Sequence, residues 1–273
     1  MNHSNFIQGN WSDELYSYLT ELIPNHVGTV AFDFDNTLIK NDFGEAVMNS
    51  IIQEGLPFLK EDFTKFFSDH DFAAKIFAER FENPKSLSDF ILNEYSNLIQ
   101  NNSTEFAYRW SSFIFSGLSE PEQKEFTRKV WTKEINSTET SSVKIFQDMI
   151  HLIQFLKFHN WEIYVVTASP EIIIREVASH FHIDPLNVIG MNLEIENGIF
   201  TPKIIEPYTY GIGKVNALQS RFGLQADLAF GDSENDFPLL CSARKMGIAL
   251  DKGDTKYIEK CRDKNFLIQK HFF

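Results

Sequence analysis

The chain has 273 residues, 43% of them hydrophobic and 23% charged, which suits a soluble globular protein with apolar material for one large domain or two smaller ones. Its net charge of −13 excludes nucleic acid and an anionic membrane surface as principal partners. No apolar run reaches the roughly 18 residues of a membrane helix, no Sec-type leader is visible, and the two cysteines, Cys241 and Cys261, have no metal-binding spacing, so a cytoplasmic location with free core thiols is expected.

The first element, "WSDELYSYLTELI", sets Trp11, Leu15, Leu19 and Leu22 on one helical face and ends at Pro24. "VAFDFDNTLI" then reads as a buried strand that carries Asp33 and Asp35 toward one face, since residues i and i+2 of a strand share a side. From Phe43 the pattern turns helical. "GEAVMNSIIQEG" ends at Gly55, "SLSDFILNEYSNLI" and "STEFAYRWSSFIF" keep the same period, and Ser119 with Glu122 forms a capping box ahead of a further helix. No strand signal breaks this stretch, so residues 43–142 are expected to form a helical insert whose crossings lie near Asn41 and Ser142. Many of the 27 phenylalanines fall within it, and aromatics at helical spacing usually make core.

Beyond the insert, helices alternate with short apolar runs. "VKIFQDMIHLIQFLKF" is expected to be helical, and "WEIYVVTAS" a buried strand. "PEIIIREVASHF" reads as a helix with Ser169 as N-cap and Pro170 at its first position. "MNLEIENGIFTPKI" is a hairpin around Asn197-Gly198. "GKVNALQSRFG" (helix), "ADLAFGD" (strand), "NDFPLLCSA" (short helix) and "MGIAL" (strand) complete the pattern. The expectation is an α/β fold, a Rossmann-like doubly wound parallel sheet formed by residues 1–42 and 143–273, with an all-helical cap at 43–142.

Ligands of open α/β sheets bind beyond the carboxyl ends of the strands. Those ends carry Asp33 and Asp35, then Thr167, then Asp232 and Asp236 of "GDSEND", while Lys214 opens the helix just upstream. Four carboxylates against one ammonium would repel a phosphate. A hard divalent cation with oxygen ligands, Mg²⁺ being the usual choice, reverses that and can polarise a phosphoryl oxygen. An aspartate can then attack phosphorus, a neighbouring carboxylate can move protons, and Thr167 and Lys214 can hold the equatorial oxygens.

The series Asp33-Phe34-Asp35-Asn36-Thr37 (DxDxT), Thr167, Lys214 and Gly231–Asp236 (GDxxxD) resembles the haloacid dehalogenase (HAD) superfamily. The helical insert after the first motif resembles the C1 cap of its phosphoserine-phosphatase-like subfamily IB. The resemblance implies Asp33 as nucleophile and Asp35 as general acid/base. It implies Mg²⁺ held by Asp33, the Asp35 carbonyl and Asp232, with Asp236 orienting the metal shell. It places Thr37, Ser169 and Asn235 beside the substrate, and Asp42 where phosphoserine phosphatases have a glutamate that meets the substrate amine. Arg80 and Arg109 are candidates for a substrate carboxylate, and the cap aromatics for a quaternary ammonium. True dehalogenases lack the second aspartate, so dehalogenation is disfavoured. The expected activity is hydrolysis of a small phosphorylated metabolite, phosphoserine- or phosphocholine-like compounds included. The alternative is a phosphotransferase that passes the same phosphoryl group to an alcohol. The sequence carries no information on oligomeric state.

Overall fold

A computed structural model of the chain describes residues 6–54 and 63–272. They fall into two compact units, one of Met1–Phe43, Trp131–Met191 and Pro207–Phe273, the other of Gly44–Val130 and Asn192–Glu206. The expected cap boundaries, 43 and 142, thus differ from the observed ones, and a second segment, 192–206, goes with the helices.

In the first unit, α1 (Asp13–Leu22) is capped by Ser12, whose hydroxyl oxygen accepts the Leu15 amide, and it buries Leu15 and Leu19. The fourth position of its stripe belongs to Ile23, fully buried, rather than to the half-buried Leu22. β1 (Thr29–Phe32) is apolar after its first residue and ends just before Asp33. β2 (Ile39–Lys40) follows.

The helices of the second unit begin within α2 (Phe43–Glu54), whose expected end at Gly55 lies outside the described residues. They continue through α3 (His70–Ala78), α4 (Pro84–Asn101) and α5 (Thr104–Ser111) into α6 (Glu120–Asn136). Glu122 accepts hydrogen bonds from both the backbone amide and the hydroxyl of Ser119, as a capping residue should. Phe63, Phe67 and Phe113 are buried and pack on one another and on Phe66, Phe77, Phe90 and Trp110, which makes these aromatics the core of the unit.

The chain returns through β3 (Lys144–Ile145) and α7 (Gln147–Phe158). Residues 144–145 were expected to be helical, but they pair antiparallel with β2. Asn41 reinforces that ribbon, donating from Nδ2 to the carbonyls of Thr140 (3.1 Å) and Ser142 (2.8 Å). β4 (Glu162–Pro170) leads into α8 (Glu171–Val177) and then β5 (Val188–Glu196). Past Met191, β5 enters the second unit and turns through Asn197 (φ 52°) and Gly198 (φ 79°) into β6 (Ile199–Ile205). Both positive φ values are what a two-residue hairpin of this kind requires. α9 (Ile212–Phe222), β7 (Leu228–Gly231), α10 (Phe237–Ser242) and β8 (Met246–Asp251) follow as the pattern predicts. α11 (Thr255–Asp263) and β9 (Leu267–Lys270) lie beyond the elements read from the sequence.

Among the described residues one sheet runs in the order β6-β5-β4-β1-β7-β8-β9, with every pairing parallel except β5–β6. From the central β1 the chain winds outward through β4 and β5, then returns to wind the other way through β7, β8 and β9. The strand order therefore reverses at β1, and its carboxyl end is the switch point where ligands of such sheets sit.

Candidate active site

The DxD motif does not work as a continued strand. β1 stops at Phe32, and residues 35–38 form a turn in which the amides of Thr37 and Leu38 both reach the Phe34 carbonyl. Phe34 is buried edge-on against Phe181. The expectation that Asp33 and Asp35 share one strand face is therefore corrected: each carboxylate has its own surroundings.

Asp33 is 5% exposed. Its Oδ1 lies 2.6 Å from Lys214 Nζ, and its Oδ2 accepts the Thr37 hydroxyl at 3.2 Å. Lys214, fully buried near the start of α9, also meets Asp236 Oδ1 at 2.5 Å. Asp236 Oδ2 accepts the amides of Asp232 (3.1 Å) and Ser233 (3.2 Å) and the Ser233 hydroxyl (2.9 Å), so it organises its own loop. Gly231 permits this closeness, since a Cβ there would lie 2.3 Å from Asp236 Cβ.

Asp35 is engaged elsewhere. Its Oδ1 accepts the Phe43 amide at 2.7 Å and its Oδ2 the Ser169 hydroxyl at 2.6 Å. The expected N-cap role of Ser169 is thus corrected. β4 runs on through Pro170, α8 starts at Glu171, and the Ser169 hydroxyl is used on Asp35 instead. Thr167, 1% exposed, accepts the Ser169 amide on its Oγ1 at 3.1 Å. Asn235 Oδ1 accepts the Gly211 amide at 2.5 Å, which ties the loop before α9 to the loop after β7. Asp42 is half-buried in the bend before α2.

Ligand atoms of Asp33, Asp232 and Asp236 lie within 4.8 Å of one another, and all three residues are buried. Asp232 Oδ2 is buried without a well-formed hydrogen bond, although the Lys252 ammonium stands beside it as an ion-pair partner. Three converging buried carboxylates make the hard-oxygen donor set that Mg²⁺ takes. The residues fit the metal. Electrostatics agree: burial first and Asp236 second push the Asp33 carboxyl well above its ordinary pKa, against the pull of Lys214. Burial and Asp236 push Asp232 up to about 7, with Lys252 opposing. Burial alone would lower the Lys214 pKa, but Asp236 and Asp33 outweigh it and hold the ammonium charged.

Lys252 is the site residue that sequence reasoning missed. The signal was present, because it follows the carboxyl end of β8, the same location that marked the other candidates. Arg80 and Arg109 do not behave as expected of substrate ligands. Arg80 stacks on Phe77 and Phe81 and donates to the Phe77 carbonyl. Arg109 pairs with Glu105 (3.0 Å) and Glu206 (2.8 Å) inside the helical unit. Cys261 is buried, whereas Cys241 is exposed rather than a core thiol.

A doubly wound parallel sheet with aspartates, a threonine and a lysine gathered at its switch point defines an α/β enzyme core. The family model for haloacid dehalogenase-like hydrolases matches residues 30–240, and the chain belongs to that family. No curated protein matches the sequence. Among solved structures, the chain resembles a conserved protein of unknown function from Anaerococcus prevotii, with 16% identity and a TM-score of 0.70 over 96% of this chain and 91% of that one. It resembles a HAD family hydrolase from Salmonella enterica serovar Typhi at 15% identity and a TM-score of 0.55, covering 91% of this chain and 75% of that one. A phosphoserine phosphohydrolase-like protein from Francisella tularensis is similar at 16% identity and a TM-score of 0.54, with 89% and 94% covered. These likenesses establish the fold. Among the described residues no helix is long and apolar enough to cross a membrane.

Proposed function

We propose that the protein is a Mg²⁺-dependent phosphatase that hydrolyses small phosphomonoesters through an aspartyl-phosphate on Asp33. The observation that carries this reading is the split environment of the two opening aspartates. Asp33 is gripped by Lys214 and Thr37 within the acidic cluster, while Asp35 is held on the Phe43 amide and the Ser169 hydroxyl. One carboxylate is fixed to attack, and the other is set on separate partners to carry protons.

Asp33, the Asp35 carbonyl, Asp232 and Asp236 would hold the metal, which when bound neutralises phosphate charge and polarises a phosphoryl oxygen. An Asp33 oxygen attacks phosphorus, and the ester P–O bond breaks as the new one forms. Protonated Asp35 delivers its proton to the departing alkoxide. The Asp35 carboxylate then takes a proton from a water whose oxygen attacks the same phosphorus, which frees phosphate and restores Asp33. Lys214 and Thr167 hold the equatorial oxygens where charge accumulates. Asn235 keeps the Lys214 helix in place through Gly211. Asp42 is the group proposed to meet an amine on the substrate.

Rapid quench with a labelled phosphomonoester and Mg²⁺ tests the assignment. Asp33→Asn should retain no phosphate on the protein. Asp35→Asn should accumulate it, with a first-step defect approaching about 10²–10⁴-fold on alkyl esters and smaller on p-nitrophenyl phosphate, whose leaving group needs no proton. The reverse labelling pattern overturns the two roles. A new phosphoester formed when alcohols are added would favour the phosphotransferase instead.

A further inference from the structure

The loop between Asp35 and the first crossing is held in an unusual backbone conformation. Asn36 and Asn41 both adopt positive φ, 56° and 66°, a region that asparagine tolerates better than most residues. They clasp each other: the Asn36 amide donates to the Asn41 carbonyl at 3.2 Å, and the Asn41 amide to Asn36 Oδ1 at 3.0 Å. The Asn36 carbonyl points outward from this clasp and meets the imidazole of His271, whose Nε2 lies 2.9 Å away. Because a carbonyl can only accept, that nitrogen carries the proton.

His271 is itself well anchored. Its amide donates to the Asp251 carbonyl at 3.0 Å, at the end of β8. Its ring stands edge-on to Phe146, centroids 4.6 Å apart, and the fully buried Phe146 donates its amide to the Leu38 carbonyl in the same loop. Burial, with Lys252 and Lys40 nearby, lowers the imidazole's pKa against the pull of the Asn36 carbonyl and Asp251, so a neutral ring makes this bond.

We propose that His271 is a positioning residue: its hydrogen bond to the Asn36 carbonyl fixes the Asn36–Thr37 peptide, next to the Asp35–Asn36 peptide that the Asn41 carbonyl holds, and so sets Asp35 relative to Asp33. As a statement about catalysis this rests on the phosphatase reading. As a statement about the metal it rests on the fit of the acidic cluster, because the Asp35 carbonyl adjoins the braced peptide. Groups that orient a metal's ligands from behind are typically worth about 10–100-fold in affinity or activity.

Two variants separate the hydrogen bond from the packing. His271→Phe keeps a ring against Phe146 and removes the donor. His271→Gln keeps a donor and removes the ring. The Mg²⁺ dissociation constant, measured by calorimetry without turnover, and kcat and KM on p-nitrophenyl phosphate are compared with the parent protein. The Phe variant should bind Mg²⁺ about tenfold more weakly and lose kcat by a similar factor with KM nearly unchanged, while the Gln variant stays within about threefold of the parent. A Phe variant equal to the parent overturns the proposal, and so does a Gln variant as impaired as the Phe variant. Should the parent hydrolyse no phosphomonoester while the Mg²⁺ affinities still separate as stated, the positioning role stands and the phosphatase reading falls.

Discussion

Replacing Lys214 by methionine tests the electrostatic core of the site. The ammonium is 0% exposed and lies within hydrogen-bonding distance of both Asp33 and Asp236. Methionine preserves much of the length and removes the charge, leaving the carboxylates buried without their shared cation. Removing one partner of a buried pair typically costs about 3–5 kcal/mol. At about 2–4 °C per kcal/mol for a unit of this size, the metal-free variant should melt roughly 6–20 °C below the parent at pH 8. The loss should depend on pH in a definite direction. The Asp33 carboxyl is already raised by burial and Asp236, and Lys214 is what holds it down. Without that restraint the folded state keeps its proton to higher pH than the unfolded chain, whose carboxyl titrates near about 4. The folded state then binds more protons, so stability falls as pH rises through this window. The deficit should be larger at pH 8 than at pH 5, and Mg²⁺ should recover part of it. Thermal melts by circular dichroism at both pH values, after exhaustive chelation, provide the measurement. A melting temperature within about 2 °C of the parent at pH 8, or a deficit that does not shrink on acidification, would refute the argument.

Three further outcomes are expected. Because Asp232 keeps its proton up to about pH 7, Mg²⁺ binding should release protons and weaken as pH falls below 7, which calorimetry in buffers of different ionisation enthalpy reads directly; pH-independent binding between 5 and 8 would contradict it. Lys252→Met removes the ammonium that holds the Asp232 pKa down, so the onset of Mg²⁺ binding should move to higher pH, and an unchanged pH profile in the same titration counts against that ion pair. Gly231→Ala forces a methyl group against Asp236 Cβ and should cost about 1–3 kcal/mol in urea denaturation, with weakened Mg²⁺ binding alongside; parental stability would show that the loop yields freely.

The sequence made the winding of the sheet legible because its strands are short apolar runs with polar carboxyl ends, and those ends carry the chemistry. Asp33, Asp35, Thr167, Asp232 and Asp236 could be named from that rule, and Lys214 from its place at the opening of the helix upstream of the last of those strands. Their mutual arrangement could not. Alternation along a strand said nothing of where β1 stops, which is at Phe32, three residues before Asp35, with Phe34 packed edge-on against Phe181 just ahead of the turn that follows. Ser169 looked like a helix cap because Ser-Pro commonly opens helices, but β4 runs on and the Asp35 carboxylate takes its hydroxyl. β9 carries weak periodicity in "FLIQKHFF", so the bracing role of His271 left no signal at all. The hairpin at Asn197-Gly198 was plain from its turn residues, whereas its membership of the helical unit depends on contacts far apart in sequence.

That last membership has a consequence for how such a protein can change over generations. The hairpin is stitched to the helical unit by the Ser112 hydroxyl on the Pro202 carbonyl, by reciprocal amide–carbonyl bonds that join Gly117 and Leu118 to Phe200, and by Arg109 on Glu206. The unit is therefore encoded in two separate places, 44–130 and 192–206. A recombination event that exchanged only the long segment would strand Leu193 and Phe200, both now buried, on an uncovered ribbon prone to self-association. Replacement of this unit in the lineage would demand two coordinated exchanges, and a laboratory chimera must carry both segments to keep the hairpin covered.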